Sequence, residues 1–212
     1  MSPRGSIPEP KLSLTSSHHE LLHHRIAAGL ASATARLADT PAADTQIVLH
    51  TLTSSTIADF DPDAASRSLS SDVIAGVLQR FEGRPPGTTL FVLDPGDALL
   101  WLQREGATED PLGCFVDWGG RLLSGVVDQL CLPAEIEYGA PVLEERPLVA
   151  ALLATHPASD TVVLSVQGQL VFSVEGVEDD MHAPFSIHVL LEPKFIAEIL
   201  SEPAGDTSPI SR

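Results

Sequence analysis

The sequence is poor in aromatic residues, in cationic residues and in cysteine. Each shortage limits the kinds of core, partner or compartment that the chain can have. Aromatic residues make up 5% of the 212 residues, so we expect a core built mainly from Leu, Val, Ile and Ala. Lys and Arg number 12 against 29 Asp and Glu, which gives a formal net charge of −17. This charge opposes binding to nucleic acid or to anionic membranes through bulk electrostatics. It favours protein partners that carry basic surfaces.

Cysteines and long apolar runs are equally scarce. The two cysteines, Cys114 and Cys131, predict reduced thiols in a reducing compartment rather than a disulfide framework. No stretch of about 18 uncharged apolar residues is present, so no transmembrane helix is predicted. Residues 1–17 also lack the continuous apolar region of a secretory signal. These absences predict a cytoplasmic protein.

The clearest pattern that is present is an amphipathic helix over residues 112–130. Apolar side chains recur at three-to-four-residue spacing and define an inner face: Leu122, Leu123, Val126 and Leu130. Polar side chains recur at the same spacing on the other face: Asp117, Arg121, Ser124 and Asp128. We expect this polar face to dock a partner, with Gly119 and Gly120 letting the partner's backbone come close. The alternative is a ladder of i,i+4 ion pairs, each contributing only about 0.3–0.5 kcal/mol.

A second copy of this pattern lies near the N-terminus. Arg25 and Gly29 repeat the spacing of Arg121 and Gly125, at an offset of 121 − 25 = 96 residues. The run that ends at Pro95 resembles the run that ends at Pro193, at an offset of 193 − 95 = 98 residues. Two matches at nearly one offset predict an internal duplication and a pseudo-two-fold molecule. Chance similarity between short apolar runs is the alternative.

The remaining patterns predict an alternation of helices and strands. A Ser17–Glu20 capping box starts the first helix. The predicted elements are a helix to about residue 37, a strand at 46–53, a loop with a helical turn at 57–71, a hairpin of 73–81 and 88–93, a helix at 96–105, the helix ending at 130, a short strand at 141–145, a helix or strand at 148–154, paired strands at 161–175 and 185–191, and a helix at 194–200.

This order, helix, strand, hairpin and helix, occurs twice and predicts an α+β fold. An antiparallel sheet would pack against two long helices. We predict a disordered lead at 1–15 and a flexible tail at 203–212. Between them we expect a single domain at 16–202 with pseudo-repeats at 16–106 and 111–202.

The same order, and the segments that carry it, resemble the CheC/CheX/FliY group of bacterial chemotaxis proteins. The similar segments are 25–37, 82–102, 118–141 and 165–200. The resemblance implies a CheC-like fold with two long pseudo-symmetric helices. It also implies activity on the aspartyl phosphate of the response regulator CheY, and a receiver domain or another chemotaxis protein as partner. It implies no cofactor.

The family's site motif, Glu-x-x-Asn on each long helix, is degenerate in this chain. Aligned on the shared glycines, the Asn positions fall on Arg25 and Arg121, and Pro141 matches the family's later proline. A one-residue shift places Asp117 at the Glu position but Gly120 at the Asn position. The other aligned positions, for Glu and for the preceding Asp or Ser, hold Leu22 and Trp118, and His18 and Cys114.

The replaced residues change what the motif could do. In the family the Asn amide orients the attacking water and the Glu holds a lysine of the regulator. An arginine only donates hydrogen bonds, so it suits binding of an acyl phosphate or another anion rather than its hydrolysis. The resemblance therefore implies a binding strip with no catalytic pair, for which we name Arg25, Asp117, Arg121 and Pro141.

An independent motif, His19-Glu20-x-x-His23, matches the zinc-hydrolase pattern H-E-x-x-H. The two histidines have the spacing that shares a zinc ion on one helix face, with the glutamate as general base. Only about fifteen loose residues precede the motif, and Gly29 occupies the third histidine position of the extended pattern. We expect an adventitious metal site here at most, and a chain that folds without metal.

Three hypotheses follow from the sequence. The first is a CheC-like signal-transduction protein, inactive or weakly active, that binds a receiver domain. The second is an active enzyme, either an aspartyl-phosphate phosphatase with an altered site or a zinc hydrolase. The third is a relative by fold with an unrelated structural role. The missing Glu and Asn favour the first.

Overall fold

The computed structural model describes residues 14–36, 45–65, 69, 71–104, 110–173 and 179–201. Most of the predicted lead and the whole predicted tail lie outside this part of the chain. In chain order the elements are α1 (Ser16–Arg36), β1 (Gln46–Thr56), a 3-10 turn (Ile57–Asp59), α2 (Pro62–Ala65), β2 (Ala75–Gly83), β3 (Gly87–Leu93), α3 (Pro95–Arg104), α4 (Pro111–Leu130), β4 (Ile136–Tyr138), β5 (Val142–Glu144), α5 (Leu148–Leu153), β6 (Val162–Phe172), β7 (Met181–Leu191) and α6 (Pro193–Ser201).

The strands form one antiparallel sheet in the order β1-β6-β7-β3-β2-β4, and β5 pairs with β2 beside β4. The predicted α+β fold with an antiparallel sheet is confirmed. Two details differ from the prediction. β4 was not predicted, because three residues carry too little alternation to register as a strand, and β7 begins at Met181 rather than at residue 185. Residues 148–153 are helical, which settles that ambiguity.

Successive side chains along each strand point to opposite faces of the sheet, and both faces are buried. One face packs against α1 and α4 and holds the larger core. The other carries a smaller core under α5 and Ala65. Aliphatic side chains dominate, as predicted, but five aromatic residues form one cluster of tilted and edge-to-face rings: Phe91, Trp101, Phe115, Trp118 and Phe185.

The two long helices cross at glycines. A Cβ on Gly29 would lie 2.5 Å from the Gly125 carbonyl oxygen, and a Cβ on Gly125 would lie 2.7 Å from the Cβ of Ala33. Only residues without side chains allow this approach. The two glycines that anchor the predicted repeat therefore face each other where α1 and α4 cross. The duplication itself stays a prediction, which superposition of the two halves tests.

The inner faces of both helices agree with their apolar patterns. Leu22, Ile26 and Leu30 on α1 are buried, as are all four inner residues predicted on α4. The start of α1 was predicted wrongly. Thr15 caps the helix: its hydroxyl accepts from the His18 backbone N–H at 3.3 Å, and its own N–H donates to His18 Nδ1 at 3.3 Å. A Thr-x-x-His pair thus takes the place of the predicted Ser17–Glu20 box.

Candidate functional site

The exposed face of α4 carries an ion pair at the edge of a cleft. Arg121 Nη2 lies 2.8 Å from Asp117 Oδ2, and their side chains are 52% and 64% exposed. The cleft has a volume of about 280 Å³ and lies between α4, α1 and β2. Its lining residues are Ala33, Gln79, Asp117, Gly120, Arg121, Ser124 and Pro141. Three of the four residues predicted for the binding strip therefore meet at one place.

Gln79 of β2 forms the polar floor of this cleft. Its Nε2 donates to the Gly139 carbonyl at 3.1 Å, and its Oε1 lies 3.2 Å from the Ser124 hydroxyl. The same hydroxyl donates to the Gly120 carbonyl at 2.8 Å. Gln79 thereby joins α4 to the turn that leads into Pro141. Sequence reasoning missed this residue, although a polar side chain between Val77 and Phe81, at the alternating positions of one strand face, is a usable signal.

The two glycines at the start of the polar face serve internal packing. A Cβ on Gly120 would lie 2.9 Å from Pro141 Cγ, and a Cβ on Gly119 would lie 2.6 Å from Val77 Cγ2. Both glycines are buried. The prediction that they admit a partner's backbone is therefore wrong: they let Pro141 and the sheet approach the helix.

The polar face is narrower than predicted. Asp128 Oδ1 accepts from the Tyr138 hydroxyl at 2.5 Å, and that hydroxyl lies 3.1 Å from the Ser124 carbonyl oxygen. Ser124 and Asp128 are half-buried, whereas Asp117 and Arg121 are exposed. Asp117 and Arg121 are therefore the most accessible part of this polar face.

Arg25 lies apart from this strip. Its Nη1 donates to the Leu130 carbonyl at 3.1 Å, at the C-terminal end of α4. Leu130 is nine residues from Arg121, which is about 14 Å along the helix axis. The guanidinium satisfies an end carbonyl and places a cation at the negative end of the helix dipole. Arg25 thus has a structural role and does not join the cleft.

The positions aligned with the family's glutamates face the core. Leu22 is fully buried, and Trp118 is 4% exposed and packs against Trp101 with ring centroids 4.7 Å apart. A carboxylate at either place would be buried without a partner, at a cost of several kcal/mol. In this alignment neither glutamate position opens onto the cleft, whereas the alignment shifted by one residue places the exposed Asp117 at the second one. The residues at the cleft mouth can donate to an anion and accept from a cation.

The first histidine of the motif on α1, His19, makes two hydrogen bonds that hold the helix in place. His19 Nδ1 lies 3.0 Å from the Thr15 carbonyl oxygen and its Nε2 lies 3.1 Å from the Ser54 hydroxyl. Both ring nitrogens of His19 are therefore occupied. Within the described ranges, no group of three or more His, Cys, Asp or Glu side chains is arranged to hold a metal ion.

One buried polar cluster lies away from the cleft, on the opposite face of the sheet. His188 of β7 is fully buried, with Nδ1 2.9 Å from the Ser165 hydroxyl and Nε2 3.0 Å from the Ser186 hydroxyl. Phe60 meets its ring edge-on at 5.8 Å. Burial lowers the pKa of His188 to about 4, so the ring is neutral.

None of the helices in the described ranges is long and apolar enough to cross a membrane.

Comparison with known proteins identifies the fold. No family model matches the sequence, and no curated protein does. FliY of Thermotoga maritima superposes with a TM-score of 0.65 at 15% identity, covering 89% of this chain and 98% of that chain. A chain of the FliG–FliM complex of H. pylori superposes with a TM-score of 0.59 at 13% identity, covering 89% and 100%.

A third similar structure is the CheX–CheY–BeF3–Mg complex of Borrelia burgdorferi. It superposes with a TM-score of 0.50 at 9% identity, covering 81% of this chain and 97% of that chain. The fold that the sequence resemblance implied is confirmed by these superpositions.

Proposed function

We propose that this chain is a chemotaxis signal-transduction protein that binds a response-regulator receiver domain and does not hydrolyse its aspartyl phosphate efficiently. The observation that carries the proposal is the Asp117–Arg121 pair at the mouth of the cleft, on the long helix where the resemblance places the family's regulator-binding residues. The similar structures include one in which CheX is in complex with CheY.

The side chains that line the cleft support the proposed lack of efficient hydrolysis. In-line attack needs a group that accepts a hydrogen bond from the attacking water. Arg121 only donates, and the acceptor beside it, Asp117, is ion-paired to Arg121 at 2.8 Å. Gln79 is the one amide side chain of the cleft, and its amide is hydrogen-bonded to Ser124 and Gly139. It is 5% exposed. The site therefore supports recognition better than hydrolysis.

The negative charge of this chain indicates which kind of surface its partner would present. The chain carries a net charge of −17, so a basic surface on the partner would speed association. Asp117 would accept from a cationic side chain of the partner, while Arg121 would donate to its phosphorylated aspartate or to another acidic group. On binding, Asp117 and Arg121 would then each exchange their mutual ion pair for an ion pair with the partner.

Binding of a BeF3-activated receiver domain tests the proposal. Arg121→Glu should weaken the complex by 2 kcal/mol or more, the range of a hot-spot residue and about 30-fold in Kd. Isothermal titration would give the Kd for the wild-type chain and the variant.

The matched control is Lys194→Glu. Lys194 is also exposed and also ion-paired, to Glu192, but it lies on α6 away from the cleft. It changes the net charge by the same two units, so it should leave the Kd within about twofold. Equal weakening by both variants would mean that net charge, and not the α4 face, governs binding.

Hydrolysis is tested separately. The autodephosphorylation rate of phosphorylated CheY should change little when the chain is added in excess. Any large acceleration would refute the binding-only role. Its loss in Arg121→Ala or Arg25→Ala would support the second hypothesis, a phosphatase with an altered, arginine-based site, whereas acceleration that survives both substitutions would show that the alignment misplaces the site.

The similar FliG–FliM structure suggests a different partner, a component of the flagellar switch. Binding of the chain to FliG but not to an activated receiver domain would favour that partner.

A further inference from the structure

A second cleft lies at one end of the sheet, on the face that carries the smaller core. It has a volume of about 560 Å³, and residues 155–161, between α5 and β6, form one of its walls. Its floor includes Arg80, Thr88 and Leu190, which are neighbours in the strand register and therefore point to the same face. Leu190 belongs to the smaller core. The sheet thus separates this cleft from the one beside α4.

Arg80 supplies the cleft with a cation that has no partner of its own. The chain has 12 Lys and Arg against 29 Asp and Glu, so carboxylates are in excess. Among the described residues, the guanidinium of Arg80 nevertheless makes no hydrogen bond or ion pair. A guanidinium presents its N–H donors as a planar fork that matches a carboxylate. Arg80 is therefore available to bind a carboxylate in the cleft.

Two carboxylates lie beside Arg80 on the same face of the sheet. Glu82 is two residues further along β2, which is about 7 Å, and it opposes Glu137 of β4 in the register. Like charges at directly opposed positions destabilise a sheet. Both side chains are exposed, and in the part of the chain that the structure describes neither carboxylate has a hydrogen bond or an ion pair. The two carboxylates are therefore available to accept from a cation.

The wall of the cleft is fixed at both ends. Thr155 donates its backbone N–H and its hydroxyl to the Leu152 carbonyl, at 3.2 and 2.8 Å. At the other end the Thr161 carbonyl accepts from the Ile57 N–H at 2.8 Å. Between them His156 has a φ of 54°, a left-handed conformation that residues other than glycine seldom adopt. Such conformations cluster at ligand sites, and a wall that is already in place lowers the cost of binding.

We propose that this cleft binds a small α-amino acid with an aliphatic side chain. Its carboxylate would accept from Arg80, and its ammonium would donate to Glu82 and Glu137. Both charges of an α-amino acid lie at one end of the molecule, as the site requires, whereas a peptide carries its two terminal charges at opposite ends. The aliphatic side chain would pack on the apolar residues of the lining, which are Leu190, Pro86, Pro157, Ala158 and Pro193.

Titration of the isotope-labelled chain with L-leucine, followed by amide chemical shifts, tests the proposal. Leucine should shift the amides of Arg80, Glu82 and Thr88 and those of residues 155–161, and the shifts should saturate. Two analogues each lack one charge of the head group: isopentylamine has no carboxylate and isocaproate has no ammonium. Each should bind with a Kd at least about tenfold higher than that of leucine.

Substitutions in the chain make the same comparison from the side of the protein. Arg80→Gln and Glu82→Gln each remove one charge from the site, and each should raise the leucine Kd at least about tenfold. Both side chains are exposed, so the fold should be kept. Arg121→Gln is the matched control, because it removes the same charge as Arg80→Gln but on the other side of the sheet. It should leave the leucine Kd unchanged.

Three results would overturn the proposal. The first is a leucine titration that leaves the amides around the cleft unshifted up to the solubility limit. The second is isopentylamine that binds as tightly as leucine, because the site would then recognise a cation alone. The third is a leucine Kd that either Arg80→Gln or Glu82→Gln leaves unchanged, or that Arg121→Gln raises equally.

Discussion

At the scale of single residues, the buried His188 makes stability depend on pH. Both of its ring nitrogens are bonded to serine hydroxyls, and burial lowers its pKa from 6.5 to about 4. The unfolded chain takes up the proton near pH 6.5 and the folded chain does so only near pH 4. Between these values the unfolded state binds more protons, so its free energy falls relative to that of the folded state as the pH drops.

The prediction is a loss of stability of up to about 3 kcal/mol from His188 as the pH falls from about 6.5 to 4. His188→Gln can keep hydrogen bonds to both serines but does not titrate, so its unfolding free energy should fall less steeply over that range. Urea unfolding at several pH values measures the slope. The exposed His182→Gln variant should retain the wild-type slope, and a His188→Gln slope equal to wild type would contradict the assignment.

The sequence predicted least well which residues belong to the site. Asp117, Arg121 and Pro141 do meet, because helix periodicity and the aligned proline place them together. Arg25 was grouped with them only by the repeat, and its actual contact, the Leu130 carbonyl, is 105 residues away in sequence. Gln79 was missed because its partners come from α4 and the turn after β4. No local pattern encodes such long-range contacts.

At the scale of elements, the crossing of α1 and α4 depends on two glycines. We predict that Gly29→Ala lowers the free energy of unfolding by about 1–3 kcal/mol, because the added methyl would overlap the backbone of α4. The loss outweighs the gain in helix propensity of about 1 kcal/mol. Thermal unfolding followed by circular dichroism measures it.

The control for this substitution is Gly96→Ala in the first turn of α3. A Cβ there would meet only a side-chain oxygen of Asp94, at 3.2 Å. It should be neutral or slightly stabilising. If both alanines have the same effect, close packing of α1 on α4 is not what requires Gly29.

The end of α4 gives a second prediction at this scale. Arg25→Ala removes the hydrogen bond to the Leu130 carbonyl and should cost about 1 kcal/mol of stability while leaving receiver binding unchanged. Arg25→Lys keeps the cation at the helix end and should recover part of the loss. Weaker receiver binding by Arg25→Ala at unchanged stability would return Arg25 to the binding strip.

Helices and strands were predicted well where apolar periodicity was long. Both long helices and the hairpin of β2 and β3 follow their patterns closely, since burial on one face fixes their phase. The cap of α1 was predicted wrongly because the sequence offers two capping patterns within a few residues. Ser17 and Glu20 match the common motif, yet Thr15 and His18 make the observed bonds.

At the scale of the whole molecule, stability without metal is a prediction from the histidine geometry. Both ring nitrogens of His19 are occupied by Thr15 and Ser54, so a zinc ion would have to displace existing hydrogen bonds. Excess chelator should leave the melting temperature unchanged. One tightly bound zinc per chain in elemental analysis, or a fall of several degrees with chelator, would support the zinc-hydrolase hypothesis instead.

Net charge gives the proposed receiver interaction a salt dependence. Attraction between this chain, of charge −17, and a basic receiver surface should weaken as salt rises. Titration of salt should therefore raise the receiver Kd. A Kd that stays constant over that titration would show that this contact does not depend on charge as argued.

The packed pair Trp101 and Trp118 gives the region beside the cleft a spectroscopic signal. These are the only two tryptophans of the chain, and their rings lie 4.7 Å apart at 39°. Indoles this close share their excitation, so the pair should give a split circular-dichroism band that no other part of the chain produces. Trp118 directly follows Asp117, so a partner that docks at the cleft and shifts α4 alters that band. The unlabelled chain thus carries its own optical reporter of binding.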